Sequence, residues 1–335
     1  MAVTGKIKVA VIGGGSWATA IVKMLSDSKN ADVSWWMRDL ESVNFINKFH
    51  HNPRYIPSAQ LRIKKGAVST DLKKVIHGAH FVVMAVPAAF LKEALSKLSP
   101  GDLDGKVVVS AIKGMIPDEN LLIANFFFKY FNTPETNFLV ISGPCHAEEV
   151  AQEKLSYLTI AGQDSPTAQT FAQLLRSRYM NANVSEDIYG TEYAAVMKNI
   201  YAIAGGIAHG LGYGDNFIAV LISNAIIELK RFLAEVYPIR RDIKESAYLG
   251  DLLVTAYSQH SRNRSFGNMI GKGYSVRSAQ FEMAMVAEGY YAIRSVHQLN
   301  KRYKVDLPIA ETVYRILYEA APAKAEFAKL TDQLR

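Results

Sequence analysis

The first 190 residues alternate between two hydrophobic patterns. Short, nearly continuous apolar runs indicate buried strands at Ile7–Ile12, Val33–Met37, Phe81–Val86, Val107–Ile112 and Phe138–Ile141. Between these runs the apolar positions follow the helical period, as they do in Trp17–Ser26 and Glu119–Tyr130. Continuous apolar strands that alternate with helices are typical of a parallel sheet covered on both faces. We therefore predict a doubly wound α/β domain over residues 1–190.

The pattern changes after Glu192. Ala194–His209 and Asn216–Tyr237 have the spacing of long helices, strand signals become few, and the chain is helical again from Ala279 to its end. This pattern predicts an all-α second domain over residues 191–335. In a protein of two domains the cleft between them is the default place for a ligand.

Composition and charge narrow the classes of function. Of the 335 residues, 49% are apolar and 21% charged, which is ordinary for a soluble globular protein. The net charge of +7 forms no basic tail or arm, so we expect small anions rather than nucleic acid as partners. The single cysteine, Cys145, excludes an intrachain disulfide and a thiolate-rich zinc site. The sequence shows neither a targeting signal nor a long enough apolar run for a membrane span, and we expect a cytoplasmic protein.

The turn after the first predicted strand fits the fingerprint G-x-G-x-x-G/A with Gly13, Gly15 and Ala18. Gly13 permits the tight turn, Gly15 lets the backbone approach a pyrophosphate, and Ala18 lets the helix pack closely on the strand. The N-terminus of the following helix supplies N–H groups to the anion. This turn predicts a dinucleotide site.

The end of the second predicted strand bears on the choice of dinucleotide. Arg38 stands where a guanidinium would meet the 2′-phosphate of NADP(H), whereas the next residue, Asp39, could accept the ribose hydroxyls of NAD(H). The sequence favours NADPH and leaves NADH open.

Three charged residues are candidates for the chemistry. Lys198 lies in a helix that is apolar almost all round, so it either extends its ammonium to a rim or is buried with a lowered pKa. Lys113 follows an apolar strand and is either a solvated loop lysine or a charge that stabilises an oxyanion. Asp251 follows Gly250 and is either a helix N-cap or a carboxylate in the site.

Ser261, Arg262 and Asn263 are consecutive and combine a hydroxyl, a guanidinium and an amide. Such a run is usually a solvated face. A phosphate ester, however, is bound well by one forked donor together with neutral donors, and these three residues provide both.

Many separated motifs resemble, in order, those of the bacterial-type NAD(P)-dependent glycerol-3-phosphate dehydrogenases. The motifs are Gly13-x-Gly15-Ser16-Trp17, residues 51–57, 112–114, 141–144 and 147–150, Met197-Lys198-Asn199, and residues 249–252, 261–267 and 286–289. The resemblance runs nearly end to end. It implies a Rossmann domain joined to a helical domain of the 6-phosphogluconate-dehydrogenase type. It also implies reduction of dihydroxyacetone phosphate to sn-glycerol 3-phosphate, which supplies glycerophospholipid synthesis, and it allows a homodimer.

The resemblance also assigns roles to individual residues. It makes Lys198 the proton donor and acceptor, with Lys113 and Asp251 beside it in catalysis. The implied cofactor contacts are Gly13, Gly15, Ser16, Trp17, Arg38, Lys113, Ala147, Arg262, Val286 and Glu288. The implied substrate contacts are Lys113, Gly143, Cys145, Lys198, Asn199, Asp251, Ser261, Arg262 and Asn263. No metal is implied. Cys145 departs from the family, which usually has Ser or Thr there, and a thiol is a weaker hydrogen-bonding partner.

Two alternatives remain open from the sequence. One is a sibling dehydrogenase for a different hydroxy acid, because a fold alone does not fix a substrate. The other is a non-catalytic NADP(H)-binding regulator.

Overall fold

The computed structural model describes residues 5–283 and 287–335. The chain forms two compact units: the first comprises Met1–Ile112 and Ile123–Ile188, and the second comprises Lys113–Leu122 and Tyr189–Arg335. The sequence-based division placed all of residues 1–190 in the first domain, so the segment 113–122 differs from it. The physical reason is that Met115 and Leu122 are buried in the hydrophobic core of the second unit.

The first unit is built on one eight-stranded sheet in the order β3-β2-β1-β4-β5-β6-β7-β8. The strands are β1 (Ile7–Ile12), β2 (Ala31–Trp36), β3 (Val68–Ser69), β4 (Phe81–Met84), β5 (Val107–Ser110), β6 (Phe138–Ser142), β7 (Ser156–Ala161) and β8 (Met180–Ser185). β1 lies between β2 and β4, with Ile12 opposite both Trp36 and Met84. The first six strands have the order of a Rossmann-type sheet, in which ligands bind beyond the carboxyl ends of the strands. The predicted α/β fold class is confirmed.

The five predicted strands, β1, β2, β4, β5 and β6, pair in parallel as expected, whereas β7, which lies next to β6 in the sheet, is antiparallel to it. The sequence analysis missed β3, β7 and β8. β8 begins with buried and exposed residues in alternation, Met180 and Ala182 being buried while Asn181 and Asn183 are exposed. A half-buried strand of this kind has no continuous apolar run to reveal it.

Seven helices flank this sheet among the described residues of the first unit. They are α1 (Ser16–Asp27), α2 (Leu40–Phe49), α3 (Leu72–Ile76), α4 (Leu91–Ala94), α5 (Ile123–Phe131), α6 (Ala147–Ala151) and α7 (Ser165–Leu175). α1 buries its apolar face, which includes Ile21, Met24 and Leu25, in the same core as β1 and β2. The helix that follows the glycine-rich turn is therefore held directly on the central strands.

Among the described residues of the second unit the regular elements are helices, and residues 113–122 add an isolated bridge between Ile116 and Leu121. The helices are α8 (Ile188–Gly210), α9 (Asp215–Val236), α10 (Asp251–Tyr257), α11 (Arg262–Gly271), α12 (Val276–Glu282), α13 (Glu288–Tyr303), α14 (Pro308–Tyr318) and α15 (Ala323–Thr331). α8 is the central element, since every residue from Gly190 to Ala208 is buried. Among the described residues, no helix has both the length and the hydrophobicity of a membrane span.

Glycines let α8 and α11 approach each other at backbone distance. A Cβ atom placed on Gly206 would lie 2.1 Å from the carbonyl oxygen of Arg264, and one on Gly267 would lie 2.1 Å from that of Ile203. Real Cβ atoms do not come this close, so only glycine fits at either position. Contacts of the same kind at Gly210 and Gly271 extend the crossing by one turn. The crossing fixes the helix that carries Lys198 against the helix that begins with Arg262.

Candidate active site

The glycine-rich turn of the first unit has the form of a phosphate cradle. Gly13 has a φ of +133°, and a Cβ on it would lie 2.4 Å from the carbonyl oxygen of Ala85. Gly15 is the N-cap of α1, no described atom lies within 4 Å of its would-be Cβ, and no described side chain caps the helix there. The first N–H groups of α1, which begins at Ser16 and Trp17, are thus offered to an anion. The turn fits the pyrophosphate of a dinucleotide.

A buried asparagine that the sequence analysis did not single out supports this turn. Asn52 is 1% exposed, and its amide donates to the carbonyl oxygen of Gly14 (3.1 Å) and to Oγ1 of Thr19 (2.8 Å). Its Oδ1 accepts from the backbone N–H groups of Arg54 (3.0 Å) and Tyr55 (3.2 Å). Asn52 lies within the motif at residues 51–57, which was the only signal that could have found it. One side chain thus joins that loop to the glycine turn.

Two charged residues, Arg38 and Asp39, follow β2 and differ in their surroundings. Arg38 is exposed one residue beyond Met37. Asp39 is the N-cap of α2, where its Oδ2 accepts from the backbone N–H of Ser42 (3.0 Å) and from the Ser42 hydroxyl. Hydrogen bonding to Ser42 holds the pKa of Asp39 below its usual range. The Asp39 carboxylate is ionised and already engaged, whereas Arg38 keeps an exposed guanidinium.

The second unit brings together the three charged residues proposed for catalysis. Nζ of Lys198 donates to Oδ1 of Asp251, and Nζ of Lys113 lies 3.7 Å from Oδ2 of the same carboxylate. Lys198 is 4% exposed and Asp251 is 1% exposed. The pKa of the Lys198 ammonium is lowered to about 7. Burial is the largest cause, Asp251 acts in the opposite direction, and Lys113 adds to the lowering. Lys198 is therefore a buried lysine with a lowered pKa and not a lysine that extends to a rim.

Local structure explains how Asp251 and Lys113 are aimed. A π-helical turn over Ser246–Gly250 leads directly into α10, whose first residue is Asp251, and such turns often occur at functional sites. Asn199 follows Lys198 on α8, and its amide donates to the carbonyl oxygen of Lys113 (2.9 Å). Asn199 thereby fixes the backbone of Lys113 in the same cluster as Lys198.

The proposed phosphate clamp lies at the N-terminus of α11. The Ser261 hydroxyl accepts from the backbone N–H of Arg264 (3.3 Å), which makes Ser261 the N-cap. Arg262 is exposed, whereas Asn263 is buried and its Oδ1 accepts from the backbone N–H of Gly289 (2.9 Å). The helix N-terminus and the Arg262 guanidinium together suit an anion, and Asn263 also ties this helix to the start of α13.

The remaining predicted residues have simpler positions. Gly143 has a φ of +116° in the turn between β6 and α6, and Ala147 begins α6. Cys145 is 7% exposed and packs in the hydrophobic core of the first unit. Glu288 is the half-buried first residue of α13. Val286 lies outside the described residues. For all of them the proposed ligand contacts stay predictions.

Comparisons with known proteins identify the family of this chain. Residues 8–168 match the family described as NAD-dependent glycerol-3-phosphate dehydrogenase N-terminus, and residues 187–328 match its C-terminus. The chain belongs to this family. It is 34% identical to glycerol-3-phosphate dehydrogenase [NAD(P)+] of Carboxydothermus hydrogenoformans, over 96% of this chain and 95% of that protein. It is also 34% identical to the Bacillus subtilis enzyme, over 93% and 90%.

A solved structure extends the similarity to the fold. The glycerol-3-phosphate dehydrogenase of Coxiella burnetii superposes with a TM-score of 0.90 at 27% identity, and the match covers 97% of this chain and 99% of that one. The resemblance seen in the sequence motifs is thus confirmed. Membership of the family makes the protein an NAD(P)-dependent oxidoreductase.

Proposed function

We propose that this glycerol-3-phosphate dehydrogenase family member reversibly reduces dihydroxyacetone phosphate to sn-glycerol 3-phosphate, with NADPH as the preferred reductant and Lys198 as the proton donor. One observation carries the proposal. The buried Lys198 ammonium donates to the Asp251 carboxylate, and the Lys113 ammonium lies 3.7 Å from the same carboxylate. A desolvated lysine of this kind matches the acid–base step of ketone reduction.

Lys198, Lys113 and Asp251 have different roles in the proposed reduction of the ketone. The bound nicotinamide supplies a hydride to the carbonyl carbon. Lys198 in its ammonium form gives a proton to the ketone oxygen, and as the neutral amine it takes the proton back in the oxidation of the alcohol. A pKa near 7 makes both forms available at neutral pH. Lys113 adds positive charge where the oxygen becomes negative, and Asp251 keeps the two ammonium groups together.

Substrate and cofactor are held by groups that suit phosphates. We assign the phosphate of the substrate to Arg262, Ser261 and the N-terminus of α11. The pyrophosphate of the cofactor is assigned to the turn at Gly13 and Gly15. We base the preference for NADPH on the exposed guanidinium of Arg38 at the end of β2.

We also propose that the enzyme works as a cytoplasmic homodimer that supplies glycerophospholipid synthesis. Support for self-association comes from α9, where the apolar side chains of Val220 and Ile227 are 40% and 55% exposed.

A steady-state assay tests the function. We expect oxidation of NADPH with dihydroxyacetone phosphate, little turnover of unphosphorylated dihydroxyacetone, and a higher kcat/KM with NADPH than with NADH. Equal turnover of the two ketones would favour a sibling dehydrogenase and overturn the substrate assignment. Cofactor binding without turnover of any ketone would indicate a non-catalytic NADP(H)-binding protein.

A further inference from the structure

We propose that Arg54 is a second selector of NADPH, which binds the 2′-phosphate and neutralises the carboxylate of Asp39. The inference rests on the proposed preference for NADPH and adds a residue and a mechanism to it.

The position of Arg54 is fixed relative to the glycine turn. Its backbone N–H donates to Oδ1 of Asn52, and the amide of the same Asn52 donates to the carbonyl oxygen of Gly14. Asn52 is buried, so this link is shielded from water and holds its geometry. The loop that carries Arg54 therefore stands next to the turn that would hold the cofactor phosphates.

The charge of Arg54 is directed at the end of β2. Its Nη2 lies 3.4 Å from Oδ2 of Asp39 and 3.4 Å from Oε2 of Glu41. A guanidinium has five N–H donors, and both of these contacts use one terminal nitrogen. The side chain is 56% exposed, so its other donors are accessible to a ligand. In a dinucleotide fold the 2′ position of the adenosine ribose lies at this end of β2.

Asp39 explains why a second guanidinium is needed. Ser42 keeps Asp39 ionised, and an ionised carboxylate would repel a 2′-phosphate placed beside Arg38. The ion pair with Arg54 removes that repulsion, and Arg54 also supplies donors of its own. Without Arg54, Asp39 and Glu41 would leave two carboxylates against the single guanidinium of Arg38. The same stretch would then suit the uncharged ribose diol of NADH better.

The test measures binding and not turnover. Dissociation constants of NADPH and NADH are determined by titration of nicotinamide fluorescence, and those of 2′,5′-ADP and 5′-AMP by competition, at one fixed ionic strength. The variants are Arg54→Gln, Arg38→Gln, the double variant Arg54→Gln/Asp39→Asn, and Arg62→Gln. Arg62 is the matched control, because it is an exposed arginine of the same unit whose guanidinium lies 3.6 Å from a carboxylate of Asp27.

We expect Arg54→Gln to weaken NADPH and 2′,5′-ADP by about tenfold, the effect of losing one charged phosphate contact, and to change NADH and 5′-AMP by less than about twofold. Asp39→Asn should restore about threefold of the loss, since Asn also caps helices. Arg62→Gln should leave all four dissociation constants unchanged.

Equal weakening of all four ligands by Arg54→Gln, or no weakening, would overturn the proposal. Wild-type protein that binds both dinucleotides equally would overturn the cofactor preference itself. Loss of selectivity in Arg38→Gln alone would overturn only the role of Arg54.

Discussion

The two units build their functional groups from different parts of the chain. In the first unit the phosphate cradle consists of backbone groups, which consecutive residues at Gly13–Ser16 and the start of α1 provide. In the second unit the reactive groups are side chains, and Lys113, Lys198 and Asp251 come from three separate segments. A backbone site depends on local conformation, whereas a side-chain site depends on the packing that brings distant segments together. The second site is therefore the one that tertiary structure must stabilise.

The energetics of the two sites differ in the same way. The N–H groups at the start of a helix have no partner within the helix, so a backbone anion site at the start of α1 costs the first unit little. The second unit removes two ammonium groups and a carboxylate from water, and desolvation of such groups costs several kcal/mol unless they are well paired. We infer that the trio is retained for its chemistry and not for stability.

Replacement of the buried lysine should separate chemistry from cofactor binding. Lys198→Met keeps a long unbranched side chain but removes the proton donor, so we expect kcat for dihydroxyacetone phosphate reduction to fall by about a thousandfold. The Kd for NADPH should change by less than about threefold, since the glycine turn belongs to the other unit and general acid chemistry adds nothing to it. Steady-state kinetics and fluorescence titration check both values.

Lys23 is the matched control for this replacement. It is also a buried lysine, 5% exposed, and it pairs with Asp27 (2.6 Å) and Glu153 (2.9 Å) in the first unit. Lys23→Met should lower the free energy of unfolding by about 2 kcal/mol, because it removes a buried charged partner from both carboxylates, although Asp27 keeps Tyr179 and Arg62 and Glu153 keeps Arg178. It should keep kcat within about threefold at temperatures where the protein stays folded. A comparable loss of kcat in both variants would show that burial of charge, and not proton transfer, explains the effect at Lys198.

Two neighbouring glycines test the packing of α8 on α11. Gly206→Ala would place a Cβ 2.1 Å from the carbonyl oxygen of Arg264, so the helices must separate, and we expect a loss of about 3 kcal/mol in the free energy of unfolding. Gly205→Ala has no described atom within 4 Å of the new Cβ, and it should be neutral or stabilise the helix by up to about 1 kcal/mol. Urea denaturation measures both. Equal stabilities for the two variants would mean that the crossing is looser than the structure indicates.

The lowered pKa of Lys198 gives a direction to the pH profile. Reduction needs the ammonium form, so its kcat should be constant below pH about 7 and fall by up to about tenfold for each unit above it. Oxidation of glycerol 3-phosphate needs the neutral amine and should show the mirror image, rising toward pH 7 and then levelling.

Lys113→Gln sharpens this prediction. Lys113 is a like charge that lowers the pKa of Lys198, so its removal should move the midpoint of both profiles to higher pH, whatever happens to their amplitude. Lys64→Gln, an exposed lysine paired with Asp32, is the control and should leave the midpoint in place. A midpoint that stays fixed in Lys113→Gln, or moves to lower pH, would contradict the assignment of the titration to Lys198.

The same contrast explains how much could be predicted from sequence. The fingerprint at Gly13, Gly15 and Ala18 is read within six consecutive residues, and the strands beside it are continuous apolar runs. Lys198 drew attention because its helix is apolar almost all round, but that pattern left its burial open, and its role came from the resemblance to the family. β8 was missed because its buried and exposed residues alternate, which is weaker evidence of a strand than a continuous run.

Long-range contacts account for the rest. The bond between Asn52 and Gly14 joins residues 38 positions apart, and the motif at residues 51–57 does not indicate that partner. The close approach of α8 and α11 depends on glycines in two helices that are each unremarkable alone. The placement of residues 113–122 in the second unit likewise depends on where Met115 and Leu122 are buried and not on their local pattern.

The segment Lys113–Leu122 has a consequence for modularity. The chain passes between the two units at three points, after Ile112, Leu122 and Ile188, so the units are interleaved along the chain and do not simply follow one another. A cut after Ile188 would give a helical fragment without Lys113 and without the core side chains of Met115 and Leu122. Neither unit can therefore be exchanged between relatives as a continuous cassette. A working chimera must carry the ten residues 113–122 with the helical unit to which they belong.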